Sequence, residues 1–132
     1  MFRTLDVDTN QWNELVDITK RISEIIIESG IQNGLMILFV PHTTAAVTIN
    51  ENADPTVPID MINSLKKISP NLSEFRHLEG NSDAHVKSSL VGCSQEIIIA
   101  DGQPVLGTWQ GIFFCEFDGP RHRKIYLKLC EC

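Results

Sequence analysis

Apolar and polar residues alternate from Phe2 to Val7, a period of two that predicts a half-buried strand. Glu14–Ile18 reads as a second short strand. The period then lengthens. Ile18, Ile22, Ile25 and Ile26 recur at helical spacing, which predicts a helix capped by Asp17 or Thr19, running to about Ser29 and ended by Gly30. Leu35–Val40 is a continuous apolar run, the signature of a central strand, and Pro41 breaks it. Thr44–Asn50 is rich in β-branched residues and predicts another strand.

Asp54-Pro55 has the form of a helix cap followed by proline at the first helical position. The helix it opens extends through Met61, Ile62 and Leu65 toward Lys67. Residues 71–81 read as loop, and Asp83 as the cap of a short helix, Ala84–Val91, closed by Gly92. Glu96–Ala100 predicts a strand ending in an Asp101-Gly102 turn. Gly107–Phe117 and Lys124–Leu129 predict two more, joined through Asp118-Gly119-Pro120. Strands and helices mix without strict βαβ alternation. The expected class is α+β, a compact single domain over residues 1–132 with a mostly antiparallel sheet and two to three helices.

Composition narrows the partners. The chain has 132 residues, enough to bury a core unaided, and a formal net charge of −6, which disfavours nucleic acid and anionic membrane. The longest apolar stretches are too short to span a bilayer, and the opening residues lack the apolar segment of a secretory signal. Cys93, Cys115, Cys130 and Cys132 form no CxxC pair and read as reduced thiols of a cytoplasmic protein.

The polar residues concentrate in three segments beside apolar strands. The first is Pro41-His42-Thr43-Thr44-Ala45, followed by Asn50-Glu51-Asn52-Ala53-Asp54-Pro55. The second runs from His77 to Leu90 and reads HLEGNSDAHVKSSL. The third is Gly107-Thr108-Trp109-Gln110-Gly111, with Phe117-Asp118-Gly119-Pro120-Arg121 beyond it. In order and spacing these segments resemble the HTTA, NENADP, HxEGNxDAHxKxSL, GTWQ and FDGPR motifs of the YjbQ family, also called the secondary thiamine-phosphate synthase family. The resemblance covers about Leu5 to Leu129; Ser82 and Ser88 stand where alanine is common, and Cys130-Glu131-Cys132 is idiosyncratic. It implies an α+β subunit that assembles as a homotrimer with polar clefts near the subunit contacts. It also implies, at most, a weak transferase activity that joins a pyrimidine diphosphate to a thiazole phosphate and releases pyrophosphate.

Each polar residue has a functional and a structural reading. His42, at a strand end, is either a site residue or a histidine satisfied by backbone. His42, His77 and His85 come from separate stretches and, with Glu79 or Asp83, form a candidate ligand set for a zinc-like divalent metal, although HExxH is absent. Glu51 is a candidate base, alternatively a loop cap. The candidate catalytic residues are His42, Glu51, His85 and Gln110. The candidate substrate contacts are Thr43, Asn50, Lys87, Ser88, Trp109 and Arg121. Of these, Lys87 with Ser88 and Arg121 suits a phosphate, its alternative being a solvated lysine. Trp109 is a core residue or a stacking wall, with core favoured. His122, in the basic run 121–124, reads as a solvated surface residue. Two functions remain open: an enzyme acting on a small phosphorylated metabolite, and a non-catalytic trimer that binds a metal or an anion.

Overall fold

The computed structural model describes all 132 residues. Eight strands and three helices follow in the order β1 (Phe2–Asp8), β2 (Glu14–Asp17), α1 (Thr19–Ser29), β3 (Gly34–Phe39), β4 (Ala45–Glu51), α2 (Thr56–Ile68), α3 (Ser82–Val91), β5 (Ser94–Ala100), β6 (Gln103–Pro104), β7 (Gln110–Glu116) and β8 (His122–Glu131). They form two antiparallel sheets, β1-β8-β3-β5-β6 and β2-β7-β4. The expected α+β class is the observed one.

The inner faces of the two sheets meet around a core that includes Leu5 and Val7, Met36 and Leu38, Val47, Ile97 and Ile99, Ile112 and Phe114, and Ile125, Leu127 and Leu129. Helix α1 adds Ile22 and Ile26 to this core. Gly30 ends α1 in the left-handed conformation at φ 76°, as expected of a glycine C-cap. The outward face of the smaller sheet is covered by helix. Ala46, Cys115 and Phe117 pack there with Ala84 of α3, and Leu65 of α2 packs against them.

Leu35–Val40 is central in its sheet, as expected, and buries Met36, Leu38 and Val40; Leu35, Ile37 and Phe39 point outward and are exposed. Three expectations need correction. Trp109 is not core. It precedes β7 in a turn and is 63% exposed. The carboxylate of Asp83 does not cap α3. The N-cap is Asn81, without a side-chain cap bond, and Asp83 lies buried inside the first turn. The last strand starts at His122, so Arg123 belongs to its inward-facing row with Ile125 and Leu127.

Candidate functional site

Strand register sets the first element of the site. On β3, Phe39 lies opposite Tyr126 of β8, and continuing that register would place Pro41 opposite Lys124. The imidazole of His42 answers the Lys124 amide at this point: Lys124 N–H donates to His42 Nε2 at 3.0 Å. A nitrogen that accepts carries no proton, so the His42 ring is neutral with its proton on Nδ1. Burial lowers the pKa of His42 below its ordinary 6.5, and the positive Arg123 pushes the same way.

Three further segments converge on His42. The loop before α3 brings His77, Glu79 and Asn81; α3 brings His85; the turn between β7 and β8 brings Asp118 and Arg121, with Arg123 following. Together with Pro41, Thr43 and Thr44 they line a cleft of about 390 Å³ in which Pro41 is the sole apolar residue. The rings of His77 and His85 stand edge to face with centroids 5.3 Å apart. His77 Nε2 lies 4.0 Å from a carboxylate oxygen of the exposed Glu79.

The floor of the cleft is an ion pair. Glu116 is fully buried, and each of its oxygens accepts two bonds: Oε1 from Thr9 Oγ1 at 2.7 Å and Arg123 Nε at 2.8 Å, Oε2 from the Asp118 amide at 3.0 Å and Arg123 Nη2 at 2.5 Å. Burial alone would raise the pKa of Glu116, but the bonds from Arg123, Asp118 and Thr9 outweigh it and hold the carboxyl below its ordinary value. Arg123 Nη2 also donates to Thr44 Oγ1 at 2.8 Å, tying the floor to the start of β4. Gly119 permits the turn above it, since a Cβ there would stand 2.2 Å from the Gln11 carbonyl oxygen and 2.7 Å from Glu116 Cγ. Beside the floor, Arg121 donates to the Asp118 carbonyl at 2.7 Å and carboxylate at 3.0 Å. Asn81 donates to the same carboxylate at 2.8 Å, leaving its own buried Oδ1 without a partner.

The structure thus brings together His42, Thr43, His77, His85 and Arg121 from the expected set. It does not bring in Asn50, Glu51, Trp109 or Gln110. Glu51 pairs with Gln110, and Asn50 with Gly111, at the far end of β4 and β7, about 20 Å along the strand from Ala45, where the chain leaves His42. Gln110 Oε1 accepts from the Gly107 amide at 2.8 Å and so closes its own turn. Glu51 and Gln110 therefore share no cleft with His42 within one chain.

Lys87 and Ser88 also need correction. Lys87 is 1% exposed, and its ammonium donates to Asn13 Oδ1 at 3.1 Å and Asp83 Oδ2 at 3.3 Å; it is neither solvated nor in the cleft. Ser88 Oγ stands 2.6 Å from the Thr43 carbonyl oxygen and 3.0 Å from that of His85, so its proton is spent tethering α3 to the segment before β4. The metal set loses His42, whose Nε2 is occupied and whose Nδ1 carries the proton. No three histidine, cysteine or carboxylate side chains stand close enough to hold a metal ion. A zinc site does not fit the residues as placed.

Glu116 and Arg123, the buried pair beneath the cleft, are the site residues that motif reading passed over. Strand parity carries their signal: Arg123 shares a row with Ile125, Leu127 and Leu129, and Glu116 with Ile112 and Phe114. A charge on each of two core-facing rows requires a partner of opposite sign.

The family model described as UPF0047 protein YjbQ-like matches residues 3–132. The chain belongs to the YjbQ family. The UPF0047 protein MJ1081 of Methanocaldococcus jannaschii is 62% identical over 123 residues, 93% of this chain and 89% of that protein. YugU of Bacillus subtilis is 49% identical over 130 residues, 98% of each. A crystal structure of a YjbQ-family protein from Clostridium acetobutylicum is similar at a TM-score of 0.94 and 48% identity, covering 97% of this chain and 99% of that one. A protein of unknown function from Sulfolobus solfataricus matches at a TM-score of 0.94 and 33% identity, covering 100% and 97%. No helix of this YjbQ-family chain is long and apolar enough to cross a membrane.

Proposed function

We propose that the cleft of His42, His77, His85, Arg121 and Arg123 binds the phosphate or diphosphate group of a small metabolite, as the substrate site of an enzyme. The observation that carries this reading is the donor set. Neutral His42 has its one proton on Nδ1. Arg121 and Arg123 keep Nη1 protons after their pairing with carboxylates. Helix α3 begins at the cleft with no side chain capping its first amides. Phosphate oxygens accept bonds from such groups, and charge-assisted donors are the strong ones. Asp118 opposes an anion, but its charge is met by Arg121 at 3.0 Å. Glu79 is exposed and screened by solvent.

His77 and His85 make no hydrogen bond through their rings within the chain, so they are the groups left to donate or take a proton at a leaving phosphate. That arrangement supports a transferase of the thiamine-phosphate synthase kind at the level of diphosphate handling. Glu51 and Gln110 have no part in it within one chain. Calorimetric titration with inorganic phosphate tests the reading: saturable binding is expected, weakened about tenfold or more in Arg121→Ala, the scale of a lost hydrogen bond to a charged group. Heat that never saturates would contradict it. Unpaired thiols and acidic net charge suit a cytoplasmic setting.

The subunit associates with itself in this proposal, as a homotrimer. The outward face of the larger sheet carries Phe2, Leu35, Ile37, Phe39 and Ile98, all exposed, with Phe2 packed on Tyr126 at 5.3 Å. Exposed apolar side chains gathered on one sheet face, with Glu96 and Lys128 opposite Ile37, mark an interaction surface. Sedimentation equilibrium should return three times the 14.8 kDa chain mass, and Ile37→Lys should lower it toward one. A wild-type monomer at all concentrations would refute the assembly.

A further inference from the structure

The phosphate cleft continues past its histidines. His42, Thr43 and His85 also border a second hollow of about 480 Å³, lined further by Ala45, Ser88, Ser89, Gly92 and Cys93. The two hollows meet along the His42–His85 ridge, and their chemistry differs. The first is walled by arginines, carboxylates and Asn81. The second carries no arginine, lysine or carboxylate. Its hydroxyls are largely spent: Ser88 Oγ faces the Thr43 carbonyl at 2.6 Å, and Ser89 Oγ donates to the His85 carbonyl at 2.9 Å.

The wall of the second hollow is held rigidly. The Gly92 amide donates to the Ser88 carbonyl at 2.9 Å, its carbonyl accepts from Val47 at 3.2 Å, and the Cys93 carbonyl accepts from Val40 at 2.8 Å. Gly92 adopts φ 103°, with open space where a Cβ would stand. Beyond the ridge of His42, Thr43 and His85, the lining of Ala45, Ser88, Ser89, Gly92 and Cys93 is poor in free donors and suits an uncharged group better than a bare anion.

Building on the phosphate reading of the neighbouring cleft, we infer that the ligand is a phosphate ester whose organic part lies beyond the His42–His85 ridge, against Ala45, Gly92 and the exposed Cys93. The ester oxygen then sits at the ridge, between the two imidazoles. Cys93 is a contact of the organic group and sets how large that group can be; it takes no part in bond making.

Phenyl phosphate and inorganic phosphate are the probes. Two readouts are needed: affinity by calorimetry, and alkylation of Cys93 by N-ethylmaleimide followed by peptide mass spectrometry. Cys130 and Cys132, exposed at the other end of the chain, are internal controls. Phenyl phosphate is expected to bind about tenfold tighter than inorganic phosphate. It should slow Cys93 alkylation about tenfold, while leaving the two control thiols unchanged; inorganic phosphate should protect none of the three. Cys93→Phe should remove the ester's advantage and leave inorganic phosphate binding within about twofold. Phosphate binding with no advantage for the ester and no protection of Cys93 would overturn this inference alone. Absence of binding by either probe would overturn the phosphate reading and this inference with it.

Discussion

Glu116→Gln should destabilise the fold by about 3–5 kcal/mol, read as a shift of the urea or thermal unfolding midpoint. The carboxylate is fully buried and accepts from Thr9, the Asp118 amide and Arg123. Replacing it with an amide leaves the Arg123 guanidinium buried without a counter-charge and sets an NH2 group against donors. The cost is that of an uncompensated charge, not of one missing bond. Replacing both partners, Glu116→Leu with Arg123→Met, should recover much of the loss, because a buried pair is often matched by apolar side chains of similar volume. That double variant should fold and yet fail to bind phosphate. The pair also fixes a pH response. The folded pKa of Glu116 is lowered from 4.5, so its contribution is complete above that value and is lost as pH falls through the lower folded value. Glu116→Gln should flatten this acid limb. A destabilisation below about 1 kcal/mol would show that the pair is not buried as described.

Lys87→Met should cost a comparable amount, about 3–5 kcal/mol, and leave phosphate affinity nearly unchanged wherever the protein remains folded. The lysine lies on the buried face of α3, its ammonium on Asp83 one turn earlier and on Asn13, and 5.2 Å from the centre of the Trp12 ring. Methionine keeps much of the volume but strands the Asp83 carboxylate, itself 3% exposed. Adding Asp83→Asn should restore part of the loss, since the stranded charge is the main penalty. A Lys87→Met protein with wild-type stability and abolished phosphate binding would reverse the assignment and make the lysine a ligand contact.

The parts legible in the sequence are those where apolar periodicity coincides with burial. The isoleucine stripe of α1 and its Gly30 stop appear where expected, and in β1 Leu5 and Val7 are buried between exposed neighbours while Phe2 falls on the opposite, exposed face. Helix α3 shows why periodicity stops short. Its buried positions, Asp83, Ala84, Lys87 and Ser88, have helical spacing, but three of the four are polar, so no apolar stripe announces the buried face. Apolar runs mislead in the other direction: Leu35, Ile37 and Phe39 are apolar yet uncovered within one chain.

The convergence of His42, His77 and His85 was readable only as three motifs, because loop ends carry no distance information. Their separation from Glu51 and Gln110 was readable. A strand over residues 44–50 necessarily carries His42 and Glu51 to opposite ends. The tautomer of His42, which removes it from a metal set, depends on one backbone amide across a sheet and has no counterpart in the sequence.

The central claim is that a phosphate group occupies the cleft between these histidines, and the chain offers its own reporters. It has four histidines, three lining the cleft and one, His122, outside it and paired with Asp8. The ring-proton resonances of all four, followed by NMR at fixed pH and ionic strength as inorganic phosphate is added, test the claim most directly. The account predicts that His42, His77 and His85 shift together along one saturating curve while His122 stays still. Shifts that grow without saturating, or that appear equally at His122, would contradict it.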